Sequence, residues 1–173
     1  MMMDEESAIT ANNATNGGGV LIEDFCFFQS FAGTDSNDSA ALIGIVNNSA
    51  TQSGGGIHAR LGGQALLSGA IDPGTGYGLA GQPASVSNNS AGEKGGGIFV
   101  TGSSSSVFLR QSQLFSNQAG LDGGGAAVED NASLIAHESG ACWRQTNCNT
   151  FEQNSADRWG GGIAIADGGG VSM

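Results

Sequence analysis

Five glycine triplets, beginning at Gly17, Gly54, Gly95, Gly123 and Gly160, recur along the 173-residue chain with the same neighbours each time. Upstream of each stand an apolar residue, two variable positions, an asparagine, one variable position and an alanine. The asparagines are Asn12, Asn48, Asn89, Asn117 and Asn154, and an apolar or small residue follows each triplet. A short spacer, two residues in the first unit and three in the others, separates the alanine from the glycines. Internal repeats of this length mark chains that stack one structural unit on the next, because no single unit buries its own apolar face. The shortest interval, 28 residues between Gly95 and Gly123, is read as the bare coil. Longer intervals then carry insertions, at about 24–44, 60–84 and 137–150.

The residues after each triplet alternate. Val20 and Ile22, Ile57 and Ala59, Ile98 and Val100, Ala126 and Val128, and Ile163 and Ile165 all keep a period of two, which is a strand with one face buried. A second strand fits Val107 and Leu109, with Ala65 and Leu67 and then Leu134 and Ala136 as its counterparts. A third carries the apolar residue three positions before the repeat asparagine. Three short strands fit a coil of about 28 residues. The fold class expected is therefore all-β. It is a single-stranded parallel β-helix, right-handed by the usual crossover rule, of about five to six coils in one domain over 1–173. Five coils at about 4.8 Å each make a stack of about 24 Å.

The repeat residues have backbone roles. Glycine supplies positive φ and lets neighbouring chains approach closely, at an entropic cost of roughly 0.5–1 kcal/mol each against alanine. Each asparagine either stacks on the next and passes amide hydrogen bonds along the axis, or serves as an exposed turn residue tolerant of left-handed backbone. Asp24, Asp130 and Asp167 each follow the first strand by two residues. This suits a turn better than a metal site, since no second carboxylate recurs beside them.

Composition narrows the function. Net charge is -11, and the five basic residues, Arg60, Lys94, Arg110, Arg144 and Arg158, form no run. Phosphate contacts need clustered Lys and Arg, so nucleic acid is not an expected partner. No stretch approaches the ~20 apolar residues of a membrane span, so this segment is not expected to insert directly in a membrane. The N-terminal Met1-Met2-Met3-Asp4-Glu5-Glu6 does not read as a secretory signal, and both ends read as cuts through a longer solenoid. Cys142 and Cys148 bracket a short loop and either form a local disulfide or remain two thiols. Cys26, within Phe25-Cys26-Phe27-Phe28, is expected to be a small buried hydrophobe.

No catalytic, cofactor or metal site is expected. His58 and His137 are isolated, and His58 falls on the outward phase after Ile57 and reads as a surface residue. Asp122, Glu129, Asp130 and Asp157 with Arg158 are the best candidates for a carbohydrate-active site, but no pair of them recurs at adjacent-coil positions. Asn13, Asn37, Asn47, Asn88 and Asn131 begin glycosylation sequons, which arise readily by chance in a chain rich in Asn and Ser.

Phe151-Glu152-Gln153-Asn154 and the Gly-Gly-Gly-Ile runs at 54–57, 95–98 and 160–163 resemble the Phe-x-x-Asn and Gly-Gly-Ala-Ile repeats of chlamydial polymorphic outer membrane proteins. The likeness runs from Ile9 to Ile165. It implies a right-handed parallel β-helix, extracellular or at the cell surface, that acts in adhesion. The reading favoured is a non-enzymatic adhesin or passenger module whose partner is a host or neighbouring-cell protein or glycan. The alternative is a fragment of a polysaccharide lyase or hydrolase.

Overall fold

The computed structural model describes residues 2–3, 8–31, 44–69, 83–137 and 148–173. Among these there is no helix. After β1 (Met2–Met3), the first coil comprises β2 (Ala8–Thr10), β3 (Asn13–Ala14), β4 (Val20–Ile22) and β5 (Phe27–Phe31). The second has β6 (Gly44–Val46), β7 (Ser49–Ala50), β8 (Ile57–Ala59) and β9 (Gln64–Ser68). The third has β10 (Ala84–Ser87), β11 (Ser90–Ala91), β12 (Ile98–Thr101) and β13 (Ser106–Arg110). The fourth has β14 (Ser112–Phe115), β15 (Gln118–Ala119), β16 (Ala126–Glu129) and β17 (Ser133–His137). The fifth has β18 (Thr150–Glu152), β19 (Ser155–Ala156), β20 (Ile163–Ile165) and β21 (Gly170–Ser172).

Equivalent strands of successive coils pair in parallel and form four sheets, so the molecule is a parallel β-helix of five coils. The three strands expected per coil are present, and a fourth of two residues, ending in the repeat alanine, is added between the asparagine and the triplet. Ile9, Ile45, Val86, Leu114 and Phe151 stand in one column of the first sheet. Ala14, Ala50, Ala91, Ala119 and Ala156 form the column of the second. Val107 and Leu109 pair with Ala65 and Leu67 on one side and with Leu134 and Ala136 on the other. These columns are the hydrophobic core, fully buried through the middle coils.

Two corners carry the repeat motif, and they work differently. At the first, the residue before each asparagine takes the left-handed conformation: Ala11, Asn47, Asn88, Ser116 and Gln153, at φ 53–57°. This turns the chain so that the asparagine points inward; Asn48, Asn89 and Asn117 are buried. Asn89 Nδ2 donates to Asn117 Oδ1 at 3.0 Å and to Ile45 O at 2.8 Å, and Asn89 Oδ1 accepts from Asn48 N at 2.9 Å and Asn48 Nδ2 at 3.1 Å. The same pattern links Asn12 to Asn48 and Asn117 to Asn154. A buried amide thus has its donors and acceptor occupied, which removes the penalty for taking it out of water.

At the second corner the three glycines have separate reasons. The first of each triplet has φ between 61° and 70°, which favours glycine. The second and third lie against the next coil: a Cβ on Gly97 would sit 2.6 Å from Gly125 O. The third corner, after β4, β8, β16 and β20, is a turn with two consecutive left-handed residues: Asp24-Phe25, Leu61-Gly62, Asp130-Asn131 and Asp167-Gly168. The aspartates therefore sit in turns.

The fourth corner lies between the fourth strand of one coil and the first of the next, and the extra length of the longer coils falls there. β5 and β9 are regular coil strands inside the stretches expected as insertions at 24–44 and 60–84. The intervening residues 32–43, 70–82 and 138–147 lie outside the described residues. In the bare third coil this corner is turned by Gln111 alone, at φ 49°.

Two matched pairs of substitutions test the stacking. Asn89→Ala orphans buried groups on both neighbouring coils and should lower unfolding free energy by about 2–4 kcal/mol. Asn12→Ala, at the exposed end of the column, should cost below about 1 kcal/mol. Likewise Gly97→Ala should cost about 2 kcal/mol or more by forcing the coils apart. Gly162→Ala, where an added Cβ meets nothing within 4 Å, should stay within about 0.5 kcal/mol. Urea melts of the four variants read this directly. Equal effects at inner and end positions would contradict stacking as the source of stability.

Candidate functional site

The outward face of the third sheet holds the main cluster of charged and aromatic side chains. Its register places Leu21, His58, Phe99, Ala127 and Ala164 in one column. The residues just before the triplets, Lys94, Asp122 and Trp159, are bridged in parallel and form a second column on one side. Glu23, Arg60, Thr101, Glu129 and Ala166, each at or just after the end of a third-sheet strand, line the other side. In the second and third coils the floor is filled by the His58 and Phe99 rings, whose centroids lie 4.8 Å apart. In the fourth and fifth coils the floor is alanine. Ala127 is fully buried, and a cleft of about 550 Å³ opens over Ala164, lined by Lys94, Asp122, Glu129, Arg158, Trp159 and the stretch from Ile163 to Asp167.

Among the described residues, ion pairs between Arg60 and Glu23, Lys94 and Glu129, and Arg158 and Asp122 each join adjacent coils. Arg60 Nη2 contacts Glu23 Oε2 at 2.6 Å. Lys94 Nζ donates to both oxygens of Glu129, at 2.7 and 2.8 Å. Arg158 grips Asp122 with two donors, Nε to Oδ1 at 2.9 Å and Nη2 to Oδ2. The Arg158 guanidinium also lies over the Trp159 ring, 4.2 Å from its centroid. The hydrogen bonds from Arg158 hold the Asp122 carboxyl below its usual range, against the opposing effect of burial, and Asp122 in turn raises Arg158. A lysine or arginine on a carboxylate across 4.8 Å coil spacing is the side-chain analogue of the backbone ladder.

Asp122, Glu129 and Arg158 of the candidate set meet in this cleft. Asp130 does not join them; its carboxylate accepts a hydrogen bond from Thr101 Oγ1 at 2.7 Å beside the turn. Asp157 is exposed. Among the described residues no three His, Cys, Asp or Glu side chains converge as a metal site. No helix among them is long and apolar enough to cross a membrane. Cys148 is disulfide-bonded, whereas Cys142 lies outside the described residues. Cys26 is a free, exposed thiol, which corrects its expected burial. The Asp24-Phe25 turn sets the register so that Phe28 takes the inward position instead.

His58 is the second correction. Its side chain does point outward, yet only 4% of the residue is exposed, because Phe99 and the neighbouring turn cover it. Neither ring nitrogen has a hydrogen-bond partner. Burial, reinforced by Arg60 and opposed by Glu23, pushes its pKa down to about 4. Trp159 and Lys94 were not singled out from sequence. Their signal was available, since both occupy the position immediately before a triplet, but that position holds no common residue type to draw attention.

The Chlamydia polymorphic membrane protein repeat matches residues 83–101 and 150–166. Each span contains one asparagine of the ladder and its glycine triplet. The curated protein named "Probable outer membrane protein pmp20", from Chlamydia pneumoniae, is 30% identical over 89 residues, 51% of this chain. The chain spans 5% of that relative's length. No solved structure matches it.

The buried histidine yields a pH prediction. Its folded pKa lies below its unfolded value, so its contribution is nil above pH 6.5 and becomes destabilising as pH falls toward 4, where the unfolded chain takes up the proton first. The loss reaches about 2 kcal/mol by pH 5. His58→Phe should remove that component, measured as the difference in urea stability between pH 7 and pH 5. An unchanged difference would place the imidazole in water.

Proposed function

We propose, from the premise that this chain belongs to the chlamydial polymorphic membrane protein-like repeat family, that it is a non-enzymatic passenger-type module of a larger cell-surface protein. Its inserted segments present the contact surface for a protein or glycan of a host or neighbouring cell. The similarity to a protein named as an outer membrane protein supports the surface location. The observation that carries the binding role is topological. Residues 32–43, 70–82 and 138–147 all intervene between a fourth strand and the following first strand, so all three fall at the same corner of the repeat. Chain that varies in length at one edge of a rigid scaffold is the usual arrangement of a recognition surface. The local disulfide between Cys142 and Cys148 would pin one of these insertions. The enzyme alternative has less support. Cleaving a glycosidic bond needs one carboxyl kept protonated beside one kept ionised; of the three carboxylates that line the cleft, Asp122 and Glu129 each carry a cation and Asp167 is exposed.

The bare coil supplies the test. Arg110-Gln111-Ser112 aligns with Ser68, Gly69 and Ala84, so deleting 70–83 joins Ser68-Gly69 to Ala84 in the geometry the third coil already uses. Deleting 138–147 with Cys148→Gly shortens the fourth coil in the same way. Both variants should keep the β-rich circular-dichroism spectrum. Adhesion of beads coated with them to epithelial cells should fall by at least about tenfold, the scale of losing a contact hot spot. Undiminished adhesion by the doubly shortened chain would refute the assignment.

A further inference from the structure

We infer that His58, Glu23 and Arg60 form an acid-operated switch on the outward face of the third sheet: when His58 takes up a proton, Glu23 leaves Arg60 for the imidazolium and the Arg60 guanidinium is released to solvent. Acid destabilisation of the fold through His58 is a separate matter. The switch is a rearrangement within the folded chain, and it rests on neither the insertions nor the cleft.

The first argument is an enclosure that packing alone does not require. His58 is 4% exposed, and neither ring nitrogen has a hydrogen-bond partner. Leu21 flanks it in the column on one side and Phe99 on the other. The glycine triplet closes a third side, since a Cβ on Gly54 would sit 2.7 Å from His58 Cβ. An apolar ring fills the same register position in the next coil, as Phe99. Two buried, unpaired nitrogens are therefore a cost that a phenyl ring would avoid. They gain a role once the imidazole is charged and becomes a donor seeking an acceptor.

The second argument decides which contact yields. Glu23 follows Leu21 by two residues and Arg60 follows His58 by two, so the ion pair lies one outward step along the strands from the ring. Arg60 Nε and Nη2 both meet one oxygen of Glu23, Oε2, at 2.8 and 2.6 Å. The two side chains are 38% and 36% exposed, so water can solvate either one alone and the pair contributes little. An imidazolium enclosed by Leu21, Phe99 and the triplet has no such recourse and draws a carboxylate strongly. The contest for Glu23 therefore goes to His58 once it is charged.

The third argument is the lack of a competitor. Among the described residues, the outward neighbours on β12 are Phe99 and Thr101, and the Thr101 hydroxyl is given to Asp130. Beyond Phe99, Glu129 is held through both oxygens by Lys94 and its side chain is only 10% exposed. Asp24, beside Glu23, points into solvent at the turn. In the resting arrangement burial and Arg60 keep the ring neutral, while Glu23 favours its charged form. Moving Glu23 to the ring and Arg60 to water tips both charge effects the other way, so the exchange reinforces itself.

The test follows the isotope-labelled chain by NMR from pH 7 downward. The Arg60 Nε–H signal, sheltered by its bond to Glu23, should be lost at the same midpoint as the His58 Cε1–H signal shifts, while the dispersed backbone amide signals persist. In His58→Phe the Arg60 signal should survive to at least about half a pH unit lower. The isosteric Glu23→Gln should move the His58 midpoint down by at least about half a pH unit, which keeps the test decisive if His58→Phe does not fold. The inference is overturned if the Arg60 signal is lost at the same pH in the parent and in folded His58→Phe. It is equally overturned if Glu23→Gln leaves the His58 midpoint unchanged, or if His58 responds only as the dispersed amide signals collapse.

Discussion

Register between coils is the constraint from which the rest of the structure follows, and the asparagine column enforces it. A parallel strand pair fixes spacing but tolerates slippage where its strands are only two or three residues long, as in the second sheet. The asparagine amide does not tolerate it. Its Oδ1 must meet the backbone N–H and Nδ2 of the preceding asparagine, while its own Nδ2 reaches a carbonyl three residues before that asparagine. A one-residue slip would leave these groups buried and unpaired on every coil. With register fixed, the alanine column, the aliphatic columns and the close glycine contacts fall into line.

The same view explains where insertions are tolerated. The first corner is held by asparagines, and the second by glycine backbones packed against the next coil. The third is held by paired left-handed turn residues. Length differences at the second and third corners are confined to one residue, in the first and third coils, because longer additions would break a hydrogen-bonded column on both sides. The fourth corner has no such column through all five coils. Where it needs closure it is closed locally. Asn149 Oδ1 accepts from Ser112 N at 2.9 Å, and its Nδ2 donates to Leu109 O at 3.3 Å and His137 O at 2.9 Å. One asparagine thus repeats, at a single level, the closure that the ladder performs along the whole axis.

Features that repeat with a fixed residue type were legible in the sequence. The apolar columns, the glycine corner and the parallel stacking follow from residues that recur at constant offsets, and period two assigns Val107, Leu109, Leu134 and Ala136 inward without ambiguity. Features that depend on what a neighbouring coil places alongside were not. His58 is on the outward phase, but burial there is decided by Phe99, forty-one positions away. Cys26 sits in an apolar run whose inward member is set by the turn before it. The two-residue strands of the second sheet carry too few positions for periodicity to register. The cleft is the extreme case: Lys94, Asp122 and Trp159 share a column but no chemistry, so nothing repeats.

That contrast separates two uses of one repeat. Inward positions answer to a common geometry and converge on the same few side chains in every coil. Outward positions on the third sheet answer only to their immediate neighbours, so they diverge: leucine, histidine, phenylalanine, then two alanines. The three ion pairs follow the same logic. Each ties one coil to the next, and they use different residue pairs at different levels, Glu23 with Arg60, Lys94 with Glu129 and Asp122 with Arg158. A half-exposed pair contributes little to stability, whereas the two with nearly buried carboxylates resist removal of either partner. Divergence on the outer face is therefore not free. Once Asp122 and Glu129 are enclosed, their cations are required, and the fixed donor and acceptor pattern that results gives this one stretch of a uniform solenoid a chemical identity of its own.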